Sequence, residues 1–229
     1  MLNVGRMCDR NPCTLYPPLK EISILAVMMK KNISLVLAMV AWFAVVSQYY
    51  LMIENRVVSV SESTIRFFSY FTILTNTMVA VYCTWQLSGK KPLFISRPGT
   101  LTAVTVYILV VGLVYQVLLR HIWQPAGFQK ITDELLHSVV PLLVLIYWYM
   151  YEEKPAGSYR QVFSWLVYPL AYLCYILVRG NFSGFYPYPF ADVAALGMKK
   201  VLINSGMLLL FFLFLSALLI GAGKRLAKK

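Results

Sequence analysis

Six apolar segments, each long enough to cross a lipid bilayer, dominate this sequence. They contain 17 to 21 residues apiece and no Asp, Glu, Lys or Arg, and they are Ile33–Ile53, Phe67–Leu87, Thr100–Leu119, Leu135–Tyr151, Val162–Val178 and Val201–Ile220. A helix of that length spans about 25–32 Å, close to the ~30 Å thickness of the hydrocarbon layer. Backbone polar groups cannot stay unpaired there. The sequence therefore predicts an all-α fold, an integral membrane bundle of six transmembrane helices.

The positive charges lie between these segments and predict the orientation. The net charge is +12, although only 13% of the residues are charged. If the N-terminus is cytoplasmic, 14 Lys and Arg residues fall on the inner side and 7 on the outer side. Cytoplasmic loops carry such an excess, so both termini are predicted to be cytoplasmic, despite the outer pair Lys199 and Lys200. Because the basic residues flank apolar segments, we expect a multi-pass protein of the inner (plasma) membrane and no nucleic-acid partner.

Residues 1–29 differ from the rest of the chain. Pro12, Pro17 and Pro18 interrupt them, and Met28-Met29-Lys30-Lys31 looks like a natural start. We interpret residues 1–29 as a disordered tail or a wrongly assigned extension, and residues 30–229 as one six-helix transmembrane domain. A cleaved signal peptide is the alternative, but the apolar run that follows continues beyond the roughly 7–15 residues of a signal core.

His137 is the only side chain in the six segments that titrates near neutral pH. Ionisable groups are costly inside a membrane and usually lie where they are used or paired. Asp133 and Glu134 precede it by one helical turn, and either carboxylate could orient the imidazole. Pro141, one turn later, leaves a backbone carbonyl near residue 137 without its usual donor.

Polar residues also follow one face of the second segment. Ser69, Thr72, Thr75 and Asn76 occur at i, i+3, i+6 and i+7, which places them on one side of a continuous helix. Such a stripe is expected to face the bundle or a watery cavity rather than lipid. In the last segment, Asn204 lies at a similar predicted depth below the outer surface.

A threonine and a histidine at similar depth indicate a nucleophile and its base. A histidine within hydrogen-bond reach can accept the proton of a weakly nucleophilic hydroxyl. Asn76, Asn204 or backbone N–H groups could then stabilise an oxyanion. Two structural alternatives stay open: Thr72 could bond its own i−4 carbonyl, and His137 could be a helix–helix contact. With His121 the only other histidine, a haem or metal site is not expected, and no cofactor is predicted.

The last predicted outer connection, residues 179–200, contains the sequence Tyr186-Pro187-Tyr188-Pro189-Phe190. Proline biases the residue before it toward extended geometry, and aromatic residues favour the membrane interface. This stretch is either an interfacial anchor or a lid over an outward-facing cavity.

Three segments taken together resemble a known family. They are residues 68–76 (FSYFTILTN), residues 136–141 (LHSVVP), and Arg179-Gly180 with residues 186–193 (YPYPFADV). This combination is similar to the bacterial branch of the androgen-induced-gene family of six-span membrane proteins, over roughly Lys30 to Gly221.

The resemblance implies an activity. Animal members of that family are regarded as threonine hydrolases that cleave fatty acid esters of hydroxy fatty acids. It implies that Thr72 is the nucleophile, that His137 is its partner, and that a membrane lipid or fatty acid ester is the substrate. Thr75 is a second candidate nucleophile because it lies on the same helical face as Thr72. The alternative is a non-catalytic protein that binds or transports a lipid or small hydrophobic ligand in the same cavity.

Overall fold

The computed structural model describes residues 19–88, 97–152 and 159–226. In these ranges every regular element of secondary structure is a helix, and there is no strand. The ten α-helices are α1 Leu19–Glu54, α2 Val60–Phe67, α3 Phe71–Ser88, α4 Thr100–Val114, α5 Gly127–Glu134, α6 Val140–Tyr151, α7 Gln161–Trp165, α8 Val167–Ser183, α9 Val193–Leu196 and α10 Met198–Leu226. The predicted all-α class is confirmed for this part of the chain.

Within the described ranges, five helical stretches are long and apolar enough to cross a membrane. They are Leu25–Glu54, Thr100–Leu119, Gly127–Tyr151, Gln161–Ser183 and Met198–Leu226. A sixth span results if α2 and α3 count as one, although their axes differ by 72°. The chain thus has the helices of a multi-pass membrane protein, while the cytoplasmic position of its termini remains a prediction.

The second span begins later than predicted, because the chain turns sharply at residues 68–70. Helix α3 starts at Phe71, and its first N–H groups donate to phenol oxygens from elsewhere in the chain. The Phe71 N–H reaches Tyr172 at 3.2 Å and the Thr72 N–H reaches Tyr188 at 3.3 Å. A helix needs such partners for its first donors. Ser69 consequently precedes α3 and does not share a helical face with Thr72, contrary to the sequence prediction.

The predicted N-terminal tail falls mostly outside the described residues. Residues 1–18 are not among them. Helix α1 begins at Leu19, so the backbone of residues 19–29 continues the first helix rather than preceding it.

Helix α4 lies at the centre of the bundle. In its most apolar stretch 67% of the residues are buried, whereas the corresponding value is 17% for the span that contains α8. Helices α3, α6 and α10 pack around α4, α1 packs along α3, and the small residues Ala38, Ala41 and Ala44 of α1 are buried. Small residues let helix backbones approach closely. Helix α8 therefore lies at the periphery.

Candidate functional site

A widened helical turn carries His137. Pro141 has no N–H to donate to the His137 carbonyl four residues earlier. Residues Leu135–Val139 form a single π-helical turn, in which the Val140 N–H donates to the Leu135 carbonyl. Such turns are rare and occur often at functional sites. A second π-helical turn, Tyr115–Leu119, follows α4. Because Tyr115 contacts His137, the two widened turns lie at the same end of the bundle.

Gly112 lets α4 approach the backbone at this turn. A Cβ atom at residue 112 would lie 3.0 Å from the His137 carbonyl oxygen and 3.1 Å from Cβ of Pro141. Tyr115, one turn further along, stacks on the imidazole of His137 with ring centroids 4.1 Å apart. The sequence analysis did not identify Tyr115, because nothing local distinguishes it from other tyrosines in the apolar segments.

Asp133 orients the imidazole. Nδ1 of His137 lies 2.9 Å from the backbone carbonyl oxygen of Asp133 and 3.3 Å from its carboxylate Oδ1. Both are acceptors, so this hydrogen-bond arrangement assigns the proton to Nδ1 and leaves Nε2 as an acceptor. The side chains are 11% and 7% exposed, which shields the pair from bulk water.

Thr72 lies on the other side of the imidazole. Its Oγ1 is 3.4 Å from Nε2 of His137, slightly longer than the 2.6–3.2 Å expected for direct proton transfer but within the looser range of an unliganded site. Thr72 is the second residue of α3, so its hydroxyl lies at the positive end of that helix dipole.

The Thr72 hydroxyl differs from several other hydroxyls in this bundle. Several serine and threonine side chains donate to the carbonyl four residues earlier, namely Ser34, Thr64, Ser69, Thr84, Thr105, Ser205 and Ser216. The contacts of Thr72 Oγ1 are instead His137 and the Tyr188 hydroxyl, each at 3.4 Å. The sequence alternative in which Thr72 bonds its own helix therefore does not describe this hydroxyl.

Residues 184–192, which we call the tyrosine loop, cover Thr72. The Tyr188 hydroxyl accepts a hydrogen bond from the Thr72 N–H at 3.3 Å. Gly180 accommodates the ring of Tyr186, because a Cβ atom there would overlap that ring. The Asn204 side chain donates to the Phe190 carbonyl at 2.9 Å and holds the end of the loop. Sequence analysis singled out this stretch but assigned no role to Tyr188.

Asn76 joins the two helices that carry the site. Its Nδ2 donates to the Thr72 carbonyl at 2.9 Å and to the Leu136 carbonyl at 3.3 Å, and the residue is fully buried. Because this amide nitrogen and that of Asn204 contact backbone carbonyls, these residues position the site. The geometry does not favour the oxyanion contact considered from the sequence.

Ser69 and Thr75 point away from His137. Ser69 Oγ lies 2.7 Å from the Ile65 carbonyl and 3.0 Å from the Tyr175 hydroxyl. Thr75 Oγ1 lies 3.0 Å from the Tyr168 hydroxyl. Thr75, the second candidate nucleophile, is thus bonded toward α8.

Glu134 belongs to a separate polar network. Its carboxylate pairs with Arg120 at 2.5 Å and accepts from the Ser138 hydroxyl at 2.6 Å. Gln116 donates to the same Ser138 oxygen at 2.9 Å. Of the two carboxylates considered from the sequence, Asp133 is therefore the one that contacts the imidazole.

Two cavities meet at Thr72. The larger cavity, about 570 Å³, is lined by His137, Asp133 and Tyr115, and its rim includes the exposed residues Arg56 and Val57. The second, which we call the apolar cavity, has a volume of about 250 Å³ and lies among α3, α4, α8 and α10. Thr72, Leu119 and Tyr188 line both cavities. Thr72 is thus a shared wall residue of the two cavities.

Comparisons with known proteins place the chain in no family. No protein-family model, no curated protein and no solved structure matches it. Within residues 19–88, 97–152 and 159–226, no group of three or more His, Cys, Asp or Glu side chains is arranged to hold a metal ion.

Proposed function

We propose that this protein is a lipid-ester hydrolase that uses Thr72 as nucleophile and His137 as base. The observation that supports this most directly is the series of contacts from Thr72 Oγ1 through the imidazole to Asp133, at 3.4 Å on one side and 2.9 and 3.3 Å on the other. A nucleophile, a base and a group that orients the base are the arrangement used in acyl transfer. The family resemblance implies the same two residues.

In the first half of the proposed reaction, Thr72 Oγ attacks the ester carbonyl carbon while Nε2 of His137 accepts the hydroxyl proton. The carbonyl π electrons move to the oxygen, which becomes an oxyanion. When the carbonyl re-forms, the bond to the leaving oxygen breaks. His137 returns its proton to that oxygen. The alcohol then departs, and the acyl group remains bound to Thr72 as an ester.

In the second half, a water molecule attacks the acyl-Thr72 carbonyl while His137 accepts its proton. Collapse of this intermediate breaks the bond to Thr72 Oγ, which recovers a proton from the imidazole. The fatty acid leaves and the enzyme is restored. Asp133 supports both halves because its acceptors stabilise the imidazolium that forms each time.

Tyr188 and the start of α3 are the groups placed to stabilise the oxyanion. The phenol oxygen accepts from the Thr72 N–H, and its own O–H faces Thr72 Oγ1 at 3.4 Å, beside the atoms that would react. The helix N-terminus adds a fixed positive potential at the same place. Donors arranged in advance around a developing charge give large rate effects in a site shielded from water.

Labelling with a hydroxyl-directed fluorophosphonate probe tests this function. We expect the wild-type protein to be labelled and to release fatty acid from an ester of a hydroxy fatty acid, and Thr72→Ala and His137→Ala each to lose both signals. Thr75→Ala is the matched control, because that hydroxyl is on the same helix but bonds Tyr168. Labelling that survives both Thr72→Ala and His137→Ala would overturn the proposal.

The alternative function, lipid binding or transport without chemistry, predicts a different result in the same experiment. It predicts saturable binding of a fatty acid ester, no release of fatty acid, and equal behaviour of Thr72→Ala and Thr75→Ala. The two functions are therefore separated by turnover.

We further propose that the larger cavity opens on the outer face of the plasma membrane, with both termini in the cytoplasm. The distribution of basic residues supports this orientation. Cysteines introduced at the exposed residues Val57 and Arg225 are the test. Only the cysteine at residue 57 should react with a membrane-impermeant maleimide in intact cells, and the reverse pattern would contradict the orientation.

A further inference from the structure

The apolar cavity offers a ligand almost only hydrocarbon contacts. Its walls include Phe71, Val110, Leu173, Ile176, Leu209 and Phe212. The polar groups that also line it have partners within the protein. Ser205 Oγ donates to the Val201 carbonyl at 2.8 Å, and the Tyr172 hydroxyl donates to the Ser69 carbonyl at 2.8 Å. A polar ligand would lose its hydrogen bonds with water here without replacement, which is unfavourable.

Part of the lining of this cavity is exposed on the outside of the bundle, where lipid would surround a membrane-spanning protein. Leu170 on α8 and Leu202 on α10 line it and are 43% and 53% exposed, and Gly206 beside them is also exposed. Both helices are apolar enough to span a membrane, and α8 belongs to the most peripheral span. An acyl chain in the bilayer can therefore reach the cavity sideways, without crossing water.

The positions of Thr72 and His137 determine which half of an ester lies in which cavity. Thr72 lines both cavities, whereas His137 lines only the larger one. In the proposed reaction His137 must return a proton to the leaving oxygen, so the alcohol half must lie on the His137 side. The acyl half is then directed to the other side of the carbonyl carbon.

We infer that the apolar cavity binds the fatty acyl chain of the ester that Thr72 attacks, while the alcohol half occupies the larger cavity. This inference rests on the proposed hydrolase function for its assignment of the two halves. The long acyl chain of a membrane lipid is the occupant that fits, because the cavity combines apolar walls, internally bonded polar groups, a lining partly exposed on the outside of the bundle and contact with the nucleophile.

Gly206 provides a direct way to fill the cavity. Gly206 lines the apolar cavity, and a Cβ atom built there meets no other atom within 4 Å, so this position on the cavity wall has room for a side chain. We expect Gly206→Phe to lower the ratio of activity on p-nitrophenyl palmitate to activity on p-nitrophenyl butyrate by roughly tenfold or more, because excluding two methylenes from an apolar site already corresponds to about that factor.

Leu210→Phe is the matched control. Leu210 lies one turn further along α10, is 66% exposed and lines neither cavity, so the same side chain there faces lipid. We expect the palmitate-to-butyrate ratio to stay at the wild-type value. Gly206→Leu is a smaller second variant in case the phenylalanine prevents folding. An unchanged ratio in a folded Gly206 variant would overturn the inference even if the hydrolase activity is real.

Photolabelling separates the acyl site from the chemistry. Thr72→Ala protein in nanodiscs is irradiated with a diazirine analogue of palmitic acid, and the labelled residues are identified by mass spectrometry. We expect labels on the cavity-facing residues of α8 and α10, reduced at least severalfold when Gly206→Phe but not Leu210→Phe is added. Labels unaffected by Gly206→Phe would refute the site. If the label is sensitive to Gly206→Phe but the wild-type protein hydrolyses no ester, the acyl site stands and only the hydrolase function is refuted.

Discussion

Tyr115 lies flat against the imidazole of His137, with the two ring planes only 17° apart and their centroids separated by 4.1 Å. The ring of Tyr115 is held on the first widened turn and His137 on the second. Stacking restricts rotation of the imidazole about its long axis, while Asp133 holds Nδ1. Together these contacts aim Nε2 at Thr72, so the tyrosine positions the proposed base.

Tyr115→Leu should therefore weaken the site more than Tyr115→Phe. Phenylalanine preserves the stacked ring, whereas leucine removes an aromatic contact worth about 0.5–1.5 kcal/mol. We expect the rate of fluorophosphonate labelling to fall about tenfold in Tyr115→Leu, with fatty acid ester affinity little changed. Equal labelling rates in the two variants would argue against a positioning role.

Asp133→Asn should reduce hydrolysis by roughly a hundredfold or more, because the amide can present the wrong group to Nδ1 and no longer stabilises the imidazolium. Glu134→Gln is the matched control, since the neighbouring carboxylate bonds Arg120 and Ser138 instead. Ester turnover should be measured as a function of pH for both. A larger loss in Glu134→Gln than in Asp133→Asn would contradict the assignment.

Gly112→Ala should destabilise the protein and disturb His137. The added methyl group would press on the His137 carbonyl oxygen at 3.0 Å and on Pro141 at 3.1 Å. Overpacking of this kind typically costs about 1–3 kcal/mol. Thermal unfolding in detergent is the measurement.

Gly221→Ala is the control for the glycine substitution itself. A Cβ atom there has an ordinary contact, 3.9 Å from the Tyr159 hydroxyl. Alanine is the better helix former, so we expect unchanged or slightly raised thermal stability. If Gly112→Ala behaves in the same way, the close approach of α4 to His137 is not needed.

Tyr188→Phe should impair both the catalytic step and the start of α3. The substitution removes the acceptor of the Thr72 N–H and the proposed oxyanion donor. Loss of one such donor lowers kcat by about a hundredfold, and an unsatisfied buried N–H costs about 1–3 kcal/mol. Steady-state kinetics measure the catalytic effect, for which we expect kcat to fall with little change in KM, and thermal unfolding measures the effect on α3. A rise in KM with unchanged kcat would indicate that Tyr188 only closes the cavity.

Glu62, on α2 before the α3 span, gives the fold a pH dependence. Its Oε1 accepts from Arg66 and from Arg179, each at 2.8 Å, so it links α2 to α8. The hydrogen bond from Arg66, with a further contribution from Arg179, lowers the pKa of Glu62 below its ordinary value of 4.5.

A lowered pKa means that the stabilisation by Glu62 is complete above pH 4.5 and is lost as the pH falls through the lowered pKa of the folded protein. We expect Glu62→Gln to be less stable than wild type by at most about 1 kcal/mol near neutral pH, because the cluster is partly exposed. Thermal unfolding at decreasing pH should show this difference shrinking. A difference that grows in acid would contradict the assignment.

Much of the helical architecture could be predicted from the chain because it depends on local composition. Long uncharged segments must form helices in hydrocarbon wherever they lie in the fold. The contribution of Pro141 was also predictable, since a missing N–H at one residue affects the carbonyl four residues earlier. The break before α3 was not, because it depends on phenol groups of Tyr172 and Tyr188, more than 100 residues away.

The same distinction applies to the site. His137 is conspicuous because no other group in the apolar segments titrates near neutral pH, whereas Thr72 is one of several hydroxyls there, and predicted depth together with the family resemblance singled it out. The tertiary structure places Asp133, and not Glu134, against the imidazole. It directs Ser69 and Thr75 toward α8. It also brings Tyr115 into contact with His137 and Tyr188 into contact with Thr72. Composition and spacing establish which groups are available within a helix, but contacts between helices depend on how each helix is rotated and where it bends, and those are properties of the packed bundle.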